Sequence, residues 1–159
     1  MVQAVPDGYH TLTPYLAVRD AARAIAFYQE AFGAVERSRL AESDGKIGHA
    51  ELQIGDSILM LSDEFPEWGA ISPEGLSGTP VRIFLYTDDI DTLWARAVAA
   101  GATVMVPLAN QFYGDRSGRL KDPFGHYWGL SQHIEDLSGE EITRRYEAMM
   151  QGEPGEPSQ

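Results

Sequence analysis

The chain has no cysteine, which excludes disulfides, thiolate metal sites and cysteine nucleophiles together. Basic residues are scarce: 12 Lys and Arg stand against 24 Asp and Glu, for a formal net charge of −12. A surface of that sign repels phosphate backbones and anionic headgroups, so nucleic acid is not an expected partner. No segment approaches the roughly 18 consecutive apolar residues of a membrane-spanning helix. The opening residues, MVQAVPDGYH, carry neither a basic residue nor the apolar run of a secretory signal. The expectation is a cytoplasmic protein with no membrane partner. Ser-His-Asp order, a glycine-rich phosphate loop and the zinc-protease motif are also missing.

What is present is a globular composition, with 43% hydrophobic residues in 159, long enough to bury a real core. Tyr9 to Val18 alternates apolar residues (Leu12, Leu16, Val18) and reads as a strand. Asp20 caps a helix over Ala21–Phe32, and Gly33 stops it. Three strands follow, Val35–Ala41, Ile47–Ile54 and Ser57–Ser62, turned by Ser43-Asp44-Gly45 and Gly55-Asp56. The pattern then restarts. Val81–Thr87 reads as a strand, Asp88-Asp89 as a cap and Ile90, Leu93, Trp94, Ala97 and Val98 as an apolar helix stripe ended by Gly101. Thr103–Pro107, Asp115–Lys121 and Tyr127–Gln132 complete the second set.

The repeat is legible residue by residue at an offset of about 68. Val18-Arg19-Asp20 falls on Tyr86-Thr87-Asp88, Gly33-Ala34 on Gly101-Ala102, and, with a small drift, Leu61-Ser62 on Leu130-Ser131. The expected organisation is a first βαβββ module (9–62), a Pro- and Gly-rich linker loop (63–79) and a second βαβββ module (80–135). A capping box at Ser138-Gly139-Glu140-Glu141 opens a C-terminal helix over 138–150, and residues 152–159 have the composition of a disordered tail. The fold class is α+β.

The segments TPYLAVRDAARAIAFYQEAFGA, GHAELQIGDSILMLSDE and KDPFGHYWGLSQH resemble the vicinal oxygen chelate superfamily, the group of glyoxalase I, bleomycin-resistance proteins and extradiol dioxygenases, and within it the PhnB-like proteins. The resemblance covers about residues 9–135. It implies a half-open, eight-stranded barrel with a small molecule held in its cup, frequent homodimers, and, in the enzymes, a divalent metal bound by His and Glu from the first and fourth strands of each module. Counted in this sequence, those positions fall on Thr13, Leu59 (or Leu61), Val81 and Gly129, which offer at most one hydroxyl. The expectation is therefore no metal and no cofactor.

His49 and Glu51, two apart on a strand, share a face. They read as a polar pair on a half-solvated sheet, as a ligand-contacting or acid/base pair, or as half a metal site completed by His126, His133, Glu135 or Asp63. Arg116 beside Phe112 and Tyr113 is a candidate for a carboxylate or an aromatic ring, or else a tie between loops. Phe65 and Trp68, in a polar loop, are candidates for a pocket rim or dimer contact, and Trp128 adds to the aromatic supply. Asp122-Pro123-Phe124-Gly125 reads as a turn. The leading expectation is a glyoxalase/bleomycin-resistance-type small-molecule binding protein holding a partly apolar ligand. The alternative is a metal-dependent lyase, isomerase or dioxygenase with a non-standard site around His49 and Glu51.

Overall fold

The computed structural model describes residues 1–152 of the chain, so the tail expected over 152–159 lies outside the described residues from 153 onward. The first module runs β1 (Tyr15–Val18), α1 (Ala21–Phe32), β2 (Val35–Ala41), β3 (Ile47–Ile54), β4 (Ser57–Asp63). The linker forms a single 3-10 turn (Pro66–Trp68) and a short helix α2 (Pro73–Leu76). The second module runs β5 (Arg82–Tyr86), α3 (Ile90–Ala100), β6 (Thr103–Asn110), β7 (Asp115–Lys121), β8 (Tyr127–His133), followed by α4 (Gly139–Met150). Both helices of the modules end at left-handed or positive-φ glycines, Gly33 and Gly101, as the sequence requires.

Each module builds one four-stranded sheet, in the orders β1-β4-β3-β2 and β5-β8-β7-β6, and the two sheets are not hydrogen-bonded to each other. The eight strands are thus an open pair of sheets rather than a continuous barrel wall. The first strand is shorter than its hydrophobic alternation suggests: pairing begins at Tyr15, and Leu12 is exposed. Pro14 has no N–H to give a ladder and leaves only its carbonyl, which accepts Met60 N at 3.0 Å.

The duplication extends to irregularities that composition does not reveal. β2 bulges between Glu36 and Ser38, and β6 between Val104 and Val106, so Arg37 and Met105 occupy equivalent positions. Asp63, at the end of β4, accepts the backbone N–H groups of Asp20 (3.0 Å) and Ala21 (2.9 Å) and also that of Ile47 (2.7 Å). Its counterpart Gln132, at the end of β8, accepts Ile90 N at 3.1 Å. In both modules a strand end thereby satisfies helix N–H groups that have no partner within the helix. The same contact holds Asp20 in a left-handed conformation, φ 81°, one that Asp tolerates better than most residues.

The modules meet through their helices and through one buried acid. Tyr28 and Phe32 of α1 stack on each other, and Phe32 lies 4.7 Å, ring to ring, from Trp128 of β8. Asp122, in the β7–β8 turn, accepts Tyr28 Oη–H at 2.6 Å and Trp128 Nε1–H at 2.9 Å on one oxygen. Its other oxygen accepts the backbone N–H groups of Phe124 (2.9 Å) and His126 (3.0 Å). Burial, then the Asp122 carboxylate, pushes the Tyr28 phenol well above its ordinary pKa, so this phenol stays a donor. His126 Nε2 reaches the Ala17 carbonyl on β1 (2.9 Å), and Arg96 of α3 donates to the Glu30 carbonyl of α1 (2.9 Å).

Removing a group that satisfies two buried side-chain donors costs more than removing one hydrogen bond, because the donors are left dry and unpaired. Asp122→Ala is expected to lose about 2–4 kcal/mol and Tyr28→Phe about 1–2 kcal/mol in urea unfolding. An Asp122→Ala protein within about 0.5 kcal/mol of the parent would show that the aromatic packing alone joins the modules.

Candidate functional site

Each sheet has a face against the helices and a face that no element of the chain covers fully. On the first sheet the pairs Ala50–Leu61 and Leu52–Leu59 lie in the core, whereas Glu51–Met60–Tyr15 forms the row on the other face. On the second sheet Trp128, Leu130 and Leu120 are core residues. The row Phe84–Gly129–Arg119 and the flanking Arg82–Tyr127–Lys121 lie on the open side.

This register corrects two assignments. Leu59 and Leu61 point into the core, so the fourth-strand position that faces the open side in the first module is Met60. The count from the turn glycine was out by one, and the strand's period of two sends every such slip to the opposite face. Thr13 and Val81 line a groove of about 760 Å³ between the two edge strands, and Gly129 lies on the open face. Val81 moves by one for the same reason: Arg82 shares the open-face row with Tyr127, and the equivalent helix caps Asp20 and Asp89 set Thr13 on Arg82. Thr13, Met60, Arg82 and Gly129 supply one hydroxyl, one thioether and a cation, a donor set that does not fit a divalent cation. Among the described residues no group of three or more His, Asp or Glu side chains is placed to hold a metal ion.

His49 and Glu51 do share the open face of the first sheet, and two tyrosines join them. Tyr15 Oη is 2.9 Å from His49 Nδ1, and His49 Nε2 is 3.1 Å from Glu51 Oε1. With the ring proton on Nε2, the imidazole donates to Glu51 and accepts from Tyr15. The N-terminal segment lies over this sheet: the Tyr9 hydroxyl also hydrogen-bonds Glu51, and Arg37 is close enough to act on both. Hydrogen bonds from Tyr9 and then His49 hold the Glu51 carboxyl below its ordinary pKa, against the opposing effect of burial. Tyr9, Tyr15 and Arg37 were not among the residues that the sequence singled out. The β1–β4–β3 pairing that puts Tyr15 in the Glu51–Met60 row is the signal that would have found Tyr15.

The residues proposed to complete a metal site with this pair are engaged elsewhere. His126 binds the Ala17 carbonyl, Asp63 caps α1, Glu135 pairs with Arg145 (3.1 Å), and His133 belongs to the second sheet. The aromatic and basic candidates are dispersed too. Trp68 is 85% exposed on the rim of the 760 Å³ groove, while Phe65 lies beneath the Lys46 ammonium, 4.8 Å from its ring centre. Phe112 packs edge-on against Tyr113 and against Tyr146 of α4. Arg116 ties Asp91 of α3 (2.9 Å) to Asn110 (3.2 Å), the loop-fixing arrangement. Trp128 is buried with its indole N–H on Asp122, and with Phe32 it lines a second groove of about 720 Å³ beside Phe84 and Tyr86.

The second open face ends in a cluster that sequence reading did not assemble. Asp115, almost fully buried, accepts Tyr86 Oη–H (3.0 Å) and Ser131 Oγ–H (2.9 Å) on one oxygen and His133 Nδ1 (2.9 Å) on the other. His133 Nε2 meets Asp136 at 2.8 Å. Burial pushes the Asp115 carboxyl up, but its three hydrogen-bond donors outweigh that and leave it below the ordinary value. Asp136 and then Asp115 raise the His133 pKa.

A histidine whose folded pKa is raised contributes stability in full below its unfolded value, and loses it as pH climbs through the folded value. The urea midpoint is therefore expected to fall as pH rises above about 6.5, the ordinary histidine value, and His133→Gln should remove that part of the slope. Asp115 acts at the other end, losing its contribution as pH falls through its lowered value. A His133 titration by NMR at or below the ordinary histidine value would refute the bridging geometry.

The comparisons with known proteins agree with this architecture. The family model described as Glyoxalase/Bleomycin resistance protein/Dioxygenase superfamily matches residues 9–130. An uncharacterized protein of Mycobacterium tuberculosis, Rv0887c, is 46% identical over 134 residues, covering 82% of this chain and 79% of that protein. The Arabidopsis thaliana protein At5g48480 is 30% identical over 66% of this chain and 67% of its own length. Among solved structures, TioX from Micromonospora sp. ML1 superposes with a TM-score of 0.64 at 27% identity, covering 79% of this chain and 99% of TioX. Among the described residues no helix is long and apolar enough to cross a membrane. With the two-module fold and a family match spanning most of its length, the chain belongs to the glyoxalase/bleomycin resistance protein/dioxygenase superfamily.

Proposed function

We propose that this protein is a small-molecule binding protein of its superfamily, holding a partly apolar ligand against the open sheet faces without a divalent metal. The observation that carries this reading is the donor set: the open-face positions where the resemblance would put the superfamily's metal ligands hold Thr13, Met60, Arg82 and Gly129. Around them the chain supplies exposed apolar and aromatic surface, Tyr15, Leu40, Phe84 and Tyr86, of the kind that ligand cavities use. The reading includes a homodimer, which members of the superfamily often form, acting in the cytoplasm.

One observation favours a second reading, an enzyme. Tyr15, His49 and Glu51 stand in a hydrogen-bonded line, the arrangement in which an acid orients a base next to a third proton-bearing group. Metal content and ligand response separate the two readings.

The test is elemental analysis of untagged protein purified without chelators, followed by thermal-shift screening against small aromatic and peptide-like molecules. The expected result is metal far below one equivalent, no uptake of nickel, zinc or iron(II), and a melting temperature raised by a ligand that binds only the native state. A stoichiometric, tightly held divalent metal would overturn the reading in favour of a metalloenzyme. His49→Ala is expected to weaken binding of any such ligand about tenfold while costing less than about 1 kcal/mol of stability. A large stability loss with unchanged binding would make the pair structural.

A further inference from the structure

The basic residues of this acidic chain are few, and most are committed. Arg19, Arg39, Arg116 and Arg145 pair with carboxylates, Arg96 donates to a backbone carbonyl, and so does Lys46. Arg82, Arg119 and Lys121 have no carboxylate or hydrogen-bond partner among the described residues. All three are exposed, and all three lie at one end of the open face of the second sheet.

Their placement follows from the register. Arg82 faces Tyr127 across β5 and β8, and Tyr127 faces Lys121 across β8 and β7. The Lys121 ammonium already sits 5.9 Å from the centre of the Tyr127 ring. In the next row Arg119 stands opposite Gly129, and Gly129 stands opposite Phe84. Gly129 has no side chain, and the Phe84 ring occupies that space: a Cβ on residue 129 would lie 2.7 Å from Phe84 Cζ. An aromatic platform is thus laid flat on the sheet beside unpaired guanidinium groups. Same-face residues on a strand are about 6.7 Å apart, roughly the length of one fused ring. One row beyond Phe84 the face turns polar at Tyr86, whose hydroxyl is fixed on Asp115.

Three cations without a carboxylate partner among the described residues thus stand together in a chain of net charge −12, a placement that attracts an anion. The aromatic floor selects the shape. We infer that this face binds a planar aromatic ligand bearing an oxyanion, with its ring over Phe84 and its anionic group between Arg82, Arg119 and Lys121. The 760 Å³ groove, lined in part by Arg82 and Tyr127, is the approach to the anionic end. A guanidinium suits a carboxylate because its planar fork can donate two hydrogen bonds at once, and an arene adds stacking on Phe84. The assignment rests on the metal-free binding reading and gives its ligand a chemical class.

The test uses the full chain, isotopically labelled, titrated with 2-naphthoate and with its neutral isostere 2-naphthamide. Binding is followed by calorimetry and by amide shifts. The naphthoate is expected to bind at least about tenfold more tightly at low salt, the effect of one or two charge-assisted hydrogen bonds, and to shift residues 82–84, 119–121 and 127–129. Added salt should erode the preference. The Arg82→Gln/Arg119→Gln double variant, whose exposed positions leave its melting temperature unchanged, should reduce the preference to within about twofold without weakening naphthamide. Gly129→Ala, which displaces the Phe84 ring, should weaken both ligands.

Equal affinity for acid and amide, with shifts on this face, would overturn the anion assignment and leave the binding-protein reading intact. Naphthoate displaced completely by millimolar inorganic phosphate would overturn the aromatic part. Shifts confined to other surfaces, or no binding of either compound, would overturn the whole proposal.

Discussion

The carboxylate of Asp122 is the constraint on which the arrangement of this molecule depends. Four donors converge on it, two from its own turn and two from side chains of different modules. Tyr28 belongs to the first module's helix and Trp128 to the second module's last strand, so one buried anion fixes the angle at which the modules meet. The aromatic stack of Tyr28, Phe32 and Trp128 supplies non-directional attraction, and the acid selects one geometry from the many that such a stack permits. A turn that reads in sequence as backbone punctuation is thus also the joint of the structure.

That joint sits on the helix side, and the division of labour between sheet faces follows from it. Core-directed residues on β3, β4, β7 and β8 are apolar and tightly enclosed, all aliphatic save Trp128. Their neighbours one position along include Tyr127, His49, Glu51, Arg119 and Lys121. A sheet with one face buried against helices leaves the other free to diverge, and the two modules have diverged in charge. The first presents Tyr15, His49 and Glu51 in a hydrogen-bonded line. The second presents cations at one end and a satisfied carboxylate at the other. The fold is shared across the superfamily and does not by itself set the chemistry of these faces.

Most of the architecture was legible in the sequence because punctuation and period are local. The bounds of α1, β2, β3 and β7 match the residues that caps, glycines and alternation mark out. The failures share a cause. β1 starts six residues later than its alternation suggests, since Pro14 interrupts pairing and alternation alone does not report hydrogen bonds. Leu59 was placed on the wrong face although the internal repeat, which sets Leu61-Ser62 on Leu130-Ser131, already aligned Gly129 with Met60. Partners distant in sequence were not legible at all: Asp115 with Tyr86 and His133, Arg116 with Asp91, and Asp122 with Tyr28. Local rules fix where strands run, whereas these pairs depend on which strands become neighbours.

The irregular positions of the repeat bear on the protein's behaviour in a crowded solution. An open sheet exposes rows of unpaired N–H and C=O groups at its edges, and other chains can add to them. This molecule has two such sheets, and every outer strand is blunted. β2 and β6 are broken by their matching bulges at Arg37 and Met105, which twist the strand and disrupt the ladder. β1 and β5 are only four and five residues long, and a proline, Pro14 or Pro80, stands just before each. Duplication thus copied the protection along with the fold. Two sheets can keep one face bare for a ligand while offering no template for a ninth strand.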